Sequence, residues 1–346
     1  MNSEISNHKP SRRGKSSLAL AAACLPIGWW HVLAGRPVIL PYYHMVSDES
    51  LPHVRPLYRY KNISQFKQDL DFLLTHFKPV SLQDLLNSLG GKTTLPPRSF
   101  LLSFDDGFRE MAEVVAPILK AKGVPAVFFL NSAFVDNHEL CFQQKIALLV
   151  DRLEKLPTIG VMENVQERLR AKNISGVEII PALKSVRYQN RSVLDEVAAL
   201  CDVQFDVFLR KQKPYLTSAQ IGSLLRDGFA IGGHSVDHPF YGDLTLAEQL
   251  HQTSESVNFL QEMFDVKYRA FAFPHSDTGV SPEFFQRSLA DGGLQISFGT
   301  GGLLRDSRRG HFQRFSLEKN CDHPRQVLIW QLARRCFLKP TIHRTE

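Results

Sequence analysis

Long apolar runs are what this sequence lacks most plainly. Beyond the N-terminus no segment stays apolar over the roughly 20 residues that a bilayer-crossing helix needs, so nothing there is expected to span a membrane. Paired cysteines are missing too. Cys24, Cys141, Cys201, Cys321 and Cys336 are odd in number, scattered, and nowhere spaced C-x-x-C. That pattern argues against a disulfide framework and a cysteine zinc site, and suits a reducing compartment better than an oxidising one. Internal repeats and long low-complexity tracts are likewise absent.

What is present is ordinary for a globular chain: 346 residues, 43% hydrophobic and 22% charged. This is enough apolar material for one large α/β barrel with an insertion. The net charge of +6 suits an anionic polymer, phosphate groups or a membrane surface, and equally a solvated surface with a basic tail. Residues 1–35 form a basic and apolar leader, "SRRGKSSLALAAACLPIGWWHVLAG". A basic start before an apolar stretch resembles a signal sequence, but Pro26 interrupts it and the run before Cys24 is short. Trp29 and Trp30 suit an interfacial anchor, and a helix packed on the domain accounts for the same residues.

From residue 36 the pattern alternates. "RPVILPYYH" reads as a buried strand, and residues 64–77 place Phe66, Leu70, Leu73, Leu74 and Phe77 at helical spacing. "KPVSL" reads as a strand or turn and "QDLLNSL" as a helix. "RSFLLSFDDG" then reads as a strand, "EMAEVVAPILKAKG" as a helix stopped by Gly123, and "PAVFFLNS" as another strand. From about 135 to 213 helical patterns follow one another with little strand signal, which marks a mainly helical insertion. The alternation resumes with the helix "TSAQIGSLLRDG" and the strand "FAIGGHS". It continues with the helix of residues 245–264, the strand "YRAFAFP", the helix "SPEFFQRSLADGG" and the strand "QISFGT". Strands alternating with helices imply a parallel sheet whose functional loops gather at the strand C-termini.

Two of those strand ends carry unusual chemistry. "SFDDG" ends an apolar strand with adjacent carboxylates, Asp105 and Asp106, which repel each other unless something offsets the charge. "GGHSVDH" places His234 and His238 four residues apart after a strand and two glycines, a spacing that lets both imidazoles reach one metal ion. One aspartate and two histidines make a three-ligand site that leaves a position open for water, as catalytic metals require.

Together, "SFDDG", "HSVDH" and "FAFPHS" resemble the first three motifs of the polysaccharide deacetylases with a NodB-type domain, carbohydrate esterase family 4. The opening "PYYHMVSDE" is similar to the exopolysaccharide-deacetylase branch. The resemblance implies a distorted, incomplete (β/α) barrel over residues 36–346, interrupted by the insertion. It also implies hydrolysis of the N-acetyl group of an amino-sugar glycan or lipid-linked precursor by a metal-activated water. Carried over by position, Asp105 is the general base, and Asp106, His234 and His238 hold one divalent cation, zinc by expectation, with nickel or cobalt acceptable. Pro274 and His275 of the third motif, with His44 at the end of the first strand, are expected at the substrate.

The chain departs from the family in two places. Where many members carry arginine two residues before the third motif's proline, it has Ala272, which leaves Arg269 or Arg314 to supply that charge. The late histidine that protonates the leaving amine has no clear motif; His311 in "RRGHFQRFSLE" is the first candidate, with His44 and His275 behind it. Arg305, Arg308 and Arg309 beside it suggest recognition of an anionic or diphosphate-linked sugar. Two other readings compete: a phosphoesterase-like metal hydrolase, and a glycan-binding domain without catalysis. No nucleic-acid partner is expected. A cytoplasmic or a peripheral membrane location, the latter through the N-terminus, is expected, with export to the envelope as the alternative.

Overall fold

The computed structural model describes residues 25–337 except 36, 157, 175, 177, 292, 305 and 319–321. The leader before Leu25, and Arg305, therefore lie outside the described residues. Among the described residues ten strands are found: β1 (Pro41–Tyr43), β2 (Lys78–Pro79), β3 (Ser99–Phe100), β4 (Leu102–Phe104), β5 (Ala126–Leu130), β6 (Ala230–Gly233), β7 (Ala270–Ala272), β8 (Ile296–Gly299), β9 (His311–Gln313) and β10 (Phe315–Ser316). Eight form one sheet in the order β10-β1-β4-β5-β6-β7-β8-β9, and β2 pairs with β3 outside it.

Every pairing in the large sheet is parallel. Parallel strands are covered on both faces, and so they read as continuous apolar runs. β5, "AVFFL", is buried at every position. Inside the curl lie Leu40, Leu101, Val127, Phe129, Ala270, Ala272, Ile296 and Phe298. The outer face packs Phe104, Phe128 and Ile231 against the helices Ile63–His76 and Ser218–Arg226 through Phe66, Leu70, Ile221 and Leu224.

The two edges of this sheet belong to one stretch of chain. β9 pairs with β8 (Gly299 opposite Gln313) and β10 pairs with β1 (Phe315 opposite Pro41), with Arg314 alone between them. The sheet thus closes almost completely into a (β/α) barrel, with residue 314 at the seam.

Helix boundaries follow local chemistry. Capping boxes start four helices, with Asn62 and Gln65, Ser81 and Asp84, Thr217 and Gln220, and Thr245 and Glu248 satisfying one another's backbone donors. The helix expected after "SFDDG" opens as a π turn, Met111–Val115, before Ala116–Lys122. Pro117, which has no N–H to donate, stands at that junction.

Between β5 and β6 the described chain is helical, with α-helices at Phe142–Lys155, Ile159–Ala171, Ile179–Lys184, Val193–Leu200 and Phe205–Gln212. They share an apolar core with Met45, Leu51, Val54, Phe108, Phe134 and Tyr215 from the rim loops. The return of the insertion is stitched to the "DDGF" turn: Leu216 N–H donates to Gly107 O at 2.9 Å, and Arg109 N–H donates to Pro214 O at 2.8 Å.

Candidate active site

The rim of the barrel begins where β4 ends. Asp105 continues from the strand, but Asp106 at φ 71° and Gly107 at φ 65° are left-handed, so the chain turns away at once. The two carboxylates therefore part because the backbone reverses hand between them, not through the alternation of an extended strand. A Cβ on Gly107 would meet Leu130 Cδ2 at 3.0 Å, in a conformation that side chains rarely adopt.

Asp105 is buried against Arg314. The guanidinium donates from both terminal nitrogens, at 2.7 Å to Oδ1 and 2.8 Å to Oδ2, and also to Ser103 Oγ at 3.0 Å. Its carbon lies 4.7 Å from the Tyr42 ring centroid and 5.1 Å from that of Phe129. Burial alone would push the Asp105 carboxyl up. Arg314 outweighs it, assisted by His234 and His44, and holds the group below the ordinary carboxylate range. The charge missing at Ala272 is thus supplied from the seam. Arg269 is elsewhere, bonded to Gly293 O and to Asn258 Oδ1.

Asp106 faces the histidine pair. Its Oδ1 lies 3.2 Å from His238 Nε2 and 3.5 Å from His234 Nε2. His234 Nδ1 lies 2.8 Å from Ala272 O. A carbonyl only accepts, so Nδ1 carries a proton and Nε2 is the atom turned to the group. Gly232 and Gly233 just before it lie within β6 rather than in a turn. Their role is close packing: a Cβ would meet the Phe129 ring at 2.5 Å on the first and Ser256 Oγ at 2.8 Å on the second. The sharp turns come later, at Ser235 (φ 71°) and His238 (φ 64°). Ser235 Oγ accepts from His238 N–H at 3.0 Å, and Gln252 Oε1 accepts from Val236 N–H at 2.8 Å. Asn131 Nδ2 donates to His234 O at 2.5 Å.

One donor atom from each of Asp106, His234 and His238 lies within 4.8 Å of the others. Asp106 Oδ1 is buried without any hydrogen-bond donor. An orphaned carboxylate oxygen facing two imidazole nitrogens is a donor set that suits a divalent cation.

His44 stands on the same rim, at the end of β1. Its Nδ1 is paired with Glu318 Oε1, and its backbone N–H donates to Glu318 Oε2 at 3.0 Å. Burial pulls the imidazole toward neutrality, but the Glu318 carboxylate wins and raises His44 to about 10. Pro274 is buried behind the rim. The His275 ring meets His238 edge-on, with centroids 4.5 Å apart, and its Nε2 lies 2.9 Å from Gln143 Nε2 of the insertion.

His311 is not brought to this group, which corrects its place as first candidate for the acid. Along the closing strand Phe312 and Arg314 point into the barrel, so His311 and Gln313 point outward. Both His311 nitrogens are engaged there, Nδ1 with Ser297 Oγ at 2.7 Å and Nε2 with Asp277 Oδ2 at 3.1 Å. Its ring packs against Phe285, centroids 4.8 Å apart. Asp277, Asp306 and His311 also gather three donor atoms. Their carboxylates are already satisfied, since Gln313 Nε2 donates to both and Arg308 pairs with Asp306 at 2.6 Å. Arg308 also lies over Phe285, and Arg309 donates to Leu89 O at 3.1 Å. Arg308 is thus committed to Asp306, whereas Arg309 is exposed and spends one donor on that carbonyl.

A nearly closed parallel barrel, with an Asp-Asp turn and a His-x-x-x-His turn on one rim, defines the class: a deacetylase of the NodB type. The polysaccharide deacetylase family model matches residues 92–289, and the chain belongs to that family. The fold is similar to that of the Streptococcus pyogenes deacetylase PplD, solved in complex with acetate. The TM-score is 0.55 and the identity 14%, over 85% of this chain and 97% of that one. It is also similar to IcaB from Ammonifex degensii, with a TM-score of 0.53 and 17% identity, over 86% of this chain and 98% of that one. No curated protein matches the chain significantly.

Proposed function

We propose that this polysaccharide deacetylase removes the N-acetyl group from an amino-sugar glycan, with Asp105 as base, His44 as acid and one divalent cation at Asp106, His234 and His238. The observation that carries the reading is the division of the two adjacent aspartates. One sits in a two-point arginine clasp and the other faces two imidazoles. A divalent ion bound there, zinc by the donor set, supplies polarisation of the amide carbonyl and acidification of water.

The chain's own residues do the rest. Arg314 keeps Asp105 ionised, so its carboxylate accepts a proton from the attacking water. Glu318 keeps His44 protonated and oriented, so the imidazolium delivers a proton to the departing amine nitrogen. His234 is locked in one tautomer by Ala272 O, and the Ser235 and Gln252 contacts fix the turn that carries His238. Gln143 of the insertion reaches His275 beside the histidine pair, which supports a part for the helical segment in substrate selection.

Acetate release from oligomers of N-acetylglucosamine, measured with and without a chelator and after metal restoration, tests the reading. Asp105→Asn is expected to abolish turnover; because it also unpairs the buried Arg314, its urea midpoint and far-UV circular dichroism are measured alongside, and the loss is read only on folded protein. No acetate with any divalent cation would refute it. A two-metal phosphoesterase is disfavoured, because the other gathered donors among the described residues are the saturated Asp277, Asp306 and His311 on the outer face. Intact base and ligand positions disfavour an idle glycan-binding domain.

A further inference from the structure

All three tryptophans of the chain, Trp29, Trp30 and Trp330, lie on two contacting helices, Ile27–Leu33 and Pro324–Phe337. The helices are joined by the Trp30 and Phe337 rings, edge-on with centroids 6.4 Å apart, and by Arg335 Nε donating to Ala34 O at 2.9 Å. Ile27 and Trp30 face the core. The opposite side of the first helix leaves Trp29 65%, Val32 52% and Leu33 59% exposed, and the second adds Trp330 at 47% and Phe337 at 69%. These residues recur at i, i+3 and i+4 on one helix and at i and i+7 on the other, so each set shares a face. The Arg334 guanidinium lies 4.6 Å from the Trp330 ring centroid.

Charge singles out the same place. Residues 1–35 hold four lysines and arginines against one glutamate, and residues 324–346 hold five against one, a net of +7. The whole chain is +6, so everything between is left at −1. The basic excess therefore belongs to the segments that carry, or continue directly from, the exposed aromatic face. Tryptophan on an apolar face with arginine and lysine around it suits the headgroup boundary of an anionic bilayer. No helix among the described residues is long and apolar enough to cross a membrane, so the contact is peripheral.

We propose that the paired helices Ile27–Leu33 and Pro324–Phe337 form a docking surface for an anionic lipid bilayer, with Trp29, Leu33, Trp330 and Phe337 entering the interface, Arg334 beside Trp330 at the headgroups, and the net positive charge of these segments favouring anionic lipid. This surface is separate from the catalytic rim, and its test does not depend on turnover.

The full chain is mixed with vesicles of phosphatidylcholine alone or with phosphatidylglycerol added. Binding is read by flotation, and by the blue shift of tryptophan emission and its quenching by brominated acyl chains. Binding is expected only with the anionic lipid and is expected to weaken with salt. Trp29→Ser/Trp330→Ser should bind at least about tenfold more weakly, with unchanged thermal unfolding and unchanged acetate release from a soluble glycan. No vesicle binding, or equal binding by the double variant, overturns the proposal. A dimer in sedimentation equilibrium that the double variant disperses, without vesicle binding, overturns it in favour of a second copy of the chain. Emission already blue-shifted without lipid, and lost on proteolytic removal of residues 1–24, overturns it in favour of the chain's own leader.

Discussion

Arg314→Met is the substitution that most directly tests the arrangement at the rim. Arg314 and Asp105 are a two-point pair with side chains 1% and 2% exposed. Breaking a buried pair from one side costs about 3–5 kcal/mol, a large share of the roughly 5–15 kcal/mol that holds a typical domain. Asp105 escapes that cost by taking a proton. Its carboxyl now lies below 3.8, because Arg314 outweighs burial; without the arginine, burial dominates, and lone buried carboxylates titrate as high as about 8–9.

The sign of the pH dependence follows. In the parent, Asp105 stabilises the fold above its unfolded value of 3.8, and the contribution is lost as pH falls through its lower folded value. In Arg314→Met the folded value lies above the unfolded one, so stability is lost as pH rises. At pH 7 most of the base would be protonated, and kcat/KM should fall about 10- to 100-fold and recover toward alkaline pH. Arg314→Lys keeps the charge without the fork and should show a smaller shift of the acid limb. Arg314→Met/Asp105→Asn should regain about 2 kcal/mol of stability over the single variant, since no buried charge remains. The measurements are pH profiles of acetate release and urea midpoints. An unmoved acid limb in Arg314→Met, with kcat/KM within about threefold of the parent, would refute the reasoning.

Glu318→Gln removes the carboxylate that raises His44 to about 10. His44 should then titrate at or below 6.5, and the alkaline limb of the rate profile should move down by at least about 3.5 units; an unmoved limb would exclude His44 as the acid. His53, buried between Phe108 and Phe208, is lowered to about 4 by burial and then by Arg109. Only the unfolded state gains its proton between pH 6.5 and 4, so stability should fall by about 2 kcal/mol from pH 7 to pH 5, a dependence that His53→Leu removes in urea titrations. Gly107→Ala combines a φ of 65° with the 3.0 Å approach to Leu130 Cδ2. It should cost about 1–3 kcal/mol and reduce turnover by displacing Asp106, whereas wild-type activity and midpoint would exclude strain there.

The barrel was legible because its strands are short apolar runs with amphipathic helices between them, the pattern of a sheet buried on both faces. The gathering of Asp106, His234 and His238 was legible because all three sit just past strand ends that hydropathy marks well. The closing strand carries no such mark. In "HFQRFS" polar side chains alternate with phenylalanine on both faces: Gln313 bonds two aspartates on the outside while Arg314 enters the barrel. A buried arginine looks like a surface residue until its partner, 209 positions away, is known. His311 misled for the converse reason. Being late in the chain and near a strand places a histidine close to the site in sequence terms, but the strand's two-residue period decides which face it serves.

On the proposed roles of Asp105 and His44, that period also couples catalysis to closure of the barrel. Residues 314 and 318 follow one another across the seam, one supplying the clasp on Asp105 and the other the carboxylate on His44. The donor set of Asp106, His234 and His238 comes entirely from β4, β6 and the turns that follow them. Cation binding should therefore survive a local opening of the seam, while both proton-transfer groups lose the partners that set their charge. Pro41→Gly, in β1 opposite Phe315, loosens that edge by returning backbone freedom to the chain. Such a variant is expected to keep its affinity for zinc, read by competition with a chromogenic chelator, while its acid and alkaline rate limbs move toward each other. Loss of zinc binding in step with activity would show instead that the whole rim opens as one unit.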